Sequence, residues 1–88
     1  YKAAYKYAPE GIHAEVLDFP GAITCGATLP ETRKLLAGAL TDLAEYMLDQ
    51  GEALPKPNPI LKSDTADLEE PIHLVIRATS QLELIAVD

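Results

Sequence analysis

An α+β fold is what this 88-residue sequence predicts: a small antiparallel sheet in βββαβ order, one main helix packed on it, and an extra C-terminal strand as a further element. Three observations carry the prediction. The first 26 residues alternate in character as strands do, residues 29–50 change to helical spacing behind a capping signature, and strand composition returns after a proline-rich interruption. A chain of this length has room for one domain with an adequate but not generous core, so oligomerisation would help it. Residues 1–57 are read as the core of three strands and helix, 58–71 as a linker or loop, and 72–88 as C-terminal strands that complete the domain, form an oligomer interface, or both.

The elements follow in order. Tyr1, Ala3, Tyr5 and Tyr7 share one face of the first strand, with Lys2, Ala4 and Lys6 on the other, and Pro9-Glu10-Gly11 supplies a hairpin turn. Ile12, Ala14 and Val16 then alternate with His13, Glu15 and Leu17 as a half-buried second strand. Phe19-Pro20-Gly21 stops it, because proline cannot donate to a ladder and glycine tolerates angles other residues avoid. The chain re-enters as a third strand from Ala22 to Gly26. Thr28-Leu29-Pro30-Glu31 reads as a capping box, the Thr28 hydroxyl accepting a helix amide and Glu31 reaching back to the Thr28 N–H, so a helix begins at Leu29.

Along that helix Leu36, Leu40, Leu43 and Met47 stack on one stripe, which Leu35, Ala39 and Tyr46 widen. Gly51 ends it. Pro55, Pro57 and Pro59 enforce an extended linker, and Ile60 to Glu70 is polar, acidic and poorly periodic, the pattern of a loop. Ile72 to Ala78 and Leu82 to Val87 return to strand composition with apolar groups on both faces. A strand apolar on both faces is normally covered on both, and one helix covers one face of a small sheet. A second copy of the chain is therefore expected over Ile72, Leu74, Ile76, Leu82 and Leu84, in a homodimer or tetramer.

Composition narrows the function classes. Fourteen acids against seven Lys and Arg give a net charge of −7, which argues against gripping a phosphate backbone and favours a basic protein partner. No apolar run approaches the ~20 residues a bilayer span needs, so no membrane role is expected, and no targeting segment is visible. The single cysteine, Cys25, cannot form an intramolecular disulfide, which leans toward a cytoplasmic location.

The corner and helix start carry a family resemblance. Asp18, Phe19, Pro20 and Gly21 form an Asp-Phe-Pro-Gly corner, Gly26 and Thr28 a Gly-x-Thr step, and Glu31 the helix start. Gly51, Glu52, Leu54 and Pro55 match a Gly-Glu-x-Leu-Pro ending. In this order, over Tyr1 to Pro57, the chain resembles the HicB family of bacterial antitoxins. That resemblance implies a partial ribonuclease H-like fold and neutralisation, by occlusion, of a HicA-type toxin, a small basic messenger-RNA-cleaving protein. The chain departs from better-known family members after the linker, where no helical pattern or basic stripe marks a DNA-binding module, so direct nucleic-acid binding is not expected. The alternative is a stand-alone oligomeric domain of the same fold that binds another protein or a small ligand.

A partner surface is expected on the helix face opposite the leucine stripe, which carries Glu31, Lys34, Gly38, Asp42, Glu45 and Asp49. Acids near a helix C-terminus oppose the macrodipole and repel one another, at about 0.3–1 kcal/mol each, and Gly38 costs roughly 1 kcal/mol relative to alanine. Unfavourable choices grouped on one face suit a basic partner, with Asp42, Glu45 and Asp49 as the contacts; a merely solvated face is the plainer reading. No enzyme activity, cofactor or metal is expected. His13 and Cys25 sit in no local signature and lack an orienting third group, so Cys25 reads as a small buried strand residue. His13 and His73 have no zinc spacing, and a two-metal nuclease needs more converging carboxylates than Glu15 and Asp18 provide.

Overall fold

Strand β1 (Lys2–Ala8) is the hub of the sheet in the computed structural model, which describes residues 1–76. It pairs antiparallel on one side with β2 (Gly11–Val16), through a turn in which Ala8 faces Gly11, and on the other with β4 (Leu68–Pro71). β3 (Ile23–Gly26) adds to the far side of β2, giving the order β3-β2-β1-β4. Helix α1 (Leu29–Asp49) packs over β3 and β2. The predicted α+β arrangement is thus the one observed. Among the described residues no helix is long and apolar enough to cross a membrane.

The core lies between α1 and the sheet. Ala3, Tyr5, Ala14 and Val16 point inward from β1 and β2, as their alternation predicts, and meet Leu36, Leu40 and Ala44 of α1, with Phe19 beneath the β2–β3 corner. Burying each large apolar side chain contributes about 1.5–3 kcal/mol. Tyr5 and Phe19 are nearly or completely excluded from solvent, and Phe19 meets the Tyr1 ring edge-on at 5.1 Å.

The helix differs in detail from its sequence pattern. Its innermost line is Thr32, Leu36, Leu40 and Ala44 at strict four-residue spacing; Leu43 and Met47 are only partly buried, and Leu35 and Tyr46 stand in solvent. A hydrophobicity count favours large residues, whereas a helix lying close to strands needs small ones where it touches them, as Thr32 does at Gly26. At the N-terminus the Thr28 hydroxyl accepts from Glu31 N–H at 3.3 Å as predicted, but the Glu31 carboxylate accepts from Ala27 N–H at 2.8 Å rather than from Thr28. At the C-terminus Gly51, with φ of 75°, closes a Schellman motif in which Glu52 N–H donates to Met47 O at 2.8 Å and Gly51 N–H to Leu48 O at 3.0 Å.

The C-terminal part needs correction. The last described strand is Leu68–Pro71, inside the segment read as a loop, and residues 72–76 form no strand. Three acids around Leu68 suggested solvent, yet Glu70 points inward, where Arg33 pairs with it. Ile72 joins the chain's own core and Leu74 packs against it, so these two already have cover without a second copy, and Ile76 is half-buried. Leu82 and Leu84, and the strand expected around them, lie outside the described residues.

Candidate functional site

Asp18 anchors the β2–β3 corner. Its buried carboxylate accepts the Lys2 N–H at 2.9 Å and the Asn58 N–H at 2.8 Å, tying the start of β1 and the proline-rich linker to one point. Burial would raise this carboxyl, but the N–H groups of Asn58 and Lys2 outweigh it and hold the group below its ordinary value. The linker is fixed further by Lys2 Nζ, which donates to Leu61 O at 2.7 Å and Pro59 O at 3.2 Å. Both Asp18 oxygens are therefore engaged structurally, and among the described residues no group of three or more ligating side chains gathers to hold a metal.

The helix is clamped to β4 by Arg33, whose Nη2 and Nε donate to the two Glu70 oxygens at 2.7 and 2.9 Å, while the buried Tyr5 hydroxyl donates to Glu70 at 3.3 Å. Arg33 lowers the Glu70 carboxyl, and burial, followed by the neighbouring Glu70 charge, pushes the Tyr5 hydroxyl up to about 12. The pH dependence of stability follows. Carboxyls lowered on folding stabilise fully above their ordinary values, 4.5 for Glu70 and 3.8 for Asp18, and lose that contribution as pH falls through the lowered values. A phenol raised from 10.0 to about 12 acts in reverse, its stabilisation complete below 10.0 and lost as pH rises toward 12. Thermal melts should be level from about pH 5 to pH 9 and fall on both sides. Glu70→Gln should flatten the acid limb; an acid limb identical to the native one in both Glu70→Gln and Asp18→Asn would refute the assignment.

The outward face of α1 carries the expected acids. Asp42 and Asp49 are exposed and Glu45 half-buried; none of the three joins an ion pair among the described residues, and the last helical turn holds no basic residue. A Cβ added at Gly38 would meet nothing within 4 Å, so no close packing inside the described chain offsets its helical cost. Three uncompensated carboxylates on a rigid helix can attract cations and basic side chains.

A second surface was not anticipated. Among the described residues the sheet face away from α1 is crossed only by the linker, which leaves a groove of about 410 Å³ lined by Ala4, Lys6, His13, Glu15 and Cys25 with Ala66 of the linker. Cys25 is exposed rather than buried, because β3 is an edge strand and this side chain points away from the helix. It stands directly across from His13, whose Nε2 lies 2.9 Å from Glu10 Oε1. Thiol, imidazole and carboxylate thus follow one another from β3 across β2 to the β1–β2 turn, and Glu10 is a third group that the sequence alone did not bring to His13 and Cys25. Imidazole and carboxylate are 50% and 66% exposed, so nothing shields them from water.

No protein-family model matches the chain, and no curated protein does. Among solved structures, a chain of the HicA3 and HicB3 toxin-antitoxin complex superposes with a TM-score of 0.58 at 24% identity. The fold is shared with that chain. The likeness covers 65% of the present chain and 66%, just under two thirds, of the other.

Proposed function

We propose that this chain is an antitoxin-like binding module that neutralises a small, basic, RNA-cleaving toxin of the HicA type by covering its active surface, without chemistry or nucleic-acid binding of its own. The acidic face of α1 carries the reading: Asp42, Glu45 and Asp49 project from a rigid element, uncompensated among the described residues, in a chain of net charge −7. The shared fold with a chain of a toxin-antitoxin complex agrees with it. Such a face competes with RNA for the toxin's basic residues. Opposite charges at a rim act mainly on encounter rate and are screened by salt.

The test is a triple variant, Asp42→Lys, Glu45→Lys and Asp49→Lys. These side chains lie off the Thr32, Leu36, Leu40, Ala44 line, so the far-ultraviolet circular dichroism should be unchanged. The association rate with a purified HicA-type toxin, read by surface plasmon resonance, should fall by about tenfold or more at low salt, and the native rate should fall as salt rises to physiological levels. An unchanged rate in the folded variant removes this face from the interface; no toxin binding by the native chain removes the function itself. The groove over His13 and Cys25 favours a second reading, a stand-alone domain that binds another protein or a small ligand there.

A further inference from the structure

The two edges of the sheet differ in what they offer a partner. β4 carries Glu69, Glu70 and Pro71, the residue types with which natural sheets discourage strand addition. β3 reads Ile-Thr-Cys-Gly, and no described strand pairs with its outer side. Val16 N–H donates to Ala22 O at 2.9 Å. By the alternation of an antiparallel ladder, Thr24 and Gly26 therefore bond inward to β2, and the N–H and C=O groups of Ile23 and Cys25 point to the outer edge.

Acids flank one end of this edge on both faces of the sheet. A Cβ on Gly26 would strike Thr32, and one on Gly21 would lie 3.2 Å from Leu43, so α1 runs back along β3 with Leu35 above the strand and Asp42 level with its start. The bonds from Arg33 to Glu70 and from Thr41 to the Val75 carbonyl turn one flank of α1 toward β4. At about 100° per residue, Leu35, Asp42 and Tyr46 occupy the opposite flank, beside β3. All three are exposed. On the other face of the sheet Ile23 is 65% exposed, and Glu15, its partner on β2, is exposed beside it. Neither Asp42 nor Glu15 joins an ion pair among the described residues.

We propose that the β3 edge takes up an extended, basic segment of the partner as an additional strand, an inference that rests on the proposed function and specifies how the basic toxin is held. Main-chain bonds to Ile23 and Cys25 supply affinity, and the two faces beside them supply selectivity. Consecutive strand residues point to opposite faces. Two adjacent Lys or Arg residues opposite the start of β3 therefore reach Asp42 on one face and Glu15 on the other. Glu15 lies two strand spacings, about 10 Å, from the added strand, a span that a basic side chain crosses with its aliphatic stem over Ile23. Further along, an apolar residue turned toward α1 meets Leu35. A helix cannot straddle the edge in this way. A second β3 brings no cation to either carboxylate, and a phosphate backbone is repelled by both, so charge selects a basic segment and the alternation of its side chains requires it to be extended.

Amide exchange on the native chain, followed by nuclear magnetic resonance with and without a purified HicA-type toxin, reads the contact directly. The Ile23 and Cys25 N–H groups should exchange freely in the chain alone and slow by about tenfold or more in the complex. Cys25→Pro removes an edge-facing N–H without breaking the internal ladder, and should raise the Kd for toxin by about tenfold or more with circular dichroism unchanged. Glu15→Gln, on the face away from α1, should raise it by about threefold or more. Contact through the helix face alone would leave both variants binding as the native chain does. An unchanged Kd in the folded Cys25→Pro variant or in Glu15→Gln overturns the added strand and leaves the antitoxin reading standing, as do Ile23 and Cys25 amides that are already protected in the chain alone or stay unprotected in the complex. No toxin binding by the native chain overturns both. If Cys25→Pro does not fold, exchange on the native protein decides.

Discussion

Replacing Gly26 with valine is expected to abolish the folded state at room temperature. A Cβ at this position would collide with the Thr32 hydroxyl oxygen and stand 3.1 Å from both the backbone N and Cα of Thr32, so no side-chain rotation relieves the contact. β3 and the first turn of α1 would have to separate. Overpacking of this kind costs about 1–3 kcal/mol. The shift would also strain the bonds that Thr32 N–H and Oγ1 donate to Thr28 O at 2.9 and 2.7 Å, and the Thr28 cap itself, each about 1 kcal/mol. The sum, on the order of 4 kcal/mol, approaches the entire stability of many small domains. Loss of the cooperative thermal transition is the expected readout, with Gly26→Ala intermediate. A Gly26→Val protein melting within a few degrees of native would refute the close approach.

Asp18→Ala should be the most damaging loss of a single polar group. Two part-buried backbone N–H groups, from Lys2 and Asn58, would lose a charged acceptor together, and bonds to charged groups contribute roughly 1.5–3 kcal/mol each. A net loss of about 3 kcal/mol lowers the melting temperature of a domain this size by roughly 12–24 °C. Asn58 should then lose amide-exchange protection, because its tether to the corner is gone. Asp18→Asn, which retains one acceptor oxygen, should fall between. Magnesium should leave the native melting temperature unchanged; a magnesium-dependent rise that Asp18→Asn removes would make this carboxylate a metal ligand instead of an anchor.

Much of this architecture is legible in the sequence because the determinants are local. The alternation in β1 and β2, the Thr28 cap and the Gly51 stop act within a few residues of themselves, and all three appear where expected. The Asp18 corner is legible as a turn, but not as an anchor, since its partners lie 16 and 40 residues away. β4 is missed for the same reason: Leu68, Glu69 and Glu70 look solvated until Arg33 is known to sit above Glu70. The exposure of Cys25 depends on strand order, which no local pattern encodes. On the candidate surface, Asp42, Glu45 and Asp49 are recoverable from helical spacing, whereas the His13–Cys25 groove requires the register of β2 against β3.

The two neighbours of β1 are joined to it by very different lengths of chain. β2 follows after a two-residue turn, while the Tyr5–Glu70 contact spans 65 residues. Closing so long a loop carries an entropic cost that hairpin and helix formation do not, and non-local pairings of this kind slow folding. β4 is accordingly expected to dock last and detach first, in a sub-global opening that leaves the β1–β2 hairpin and α1 in place, which hydrogen exchange at Leu68–Glu70 faster than in β2 would reveal. During that opening β1 becomes a bare edge and the ring of Tyr5 meets water. The Arg33–Glu70 clamp thus governs how often the growing or native chain displays a strand to its neighbours, and weakening it should favour misassembly through β1 before it unfolds the domain.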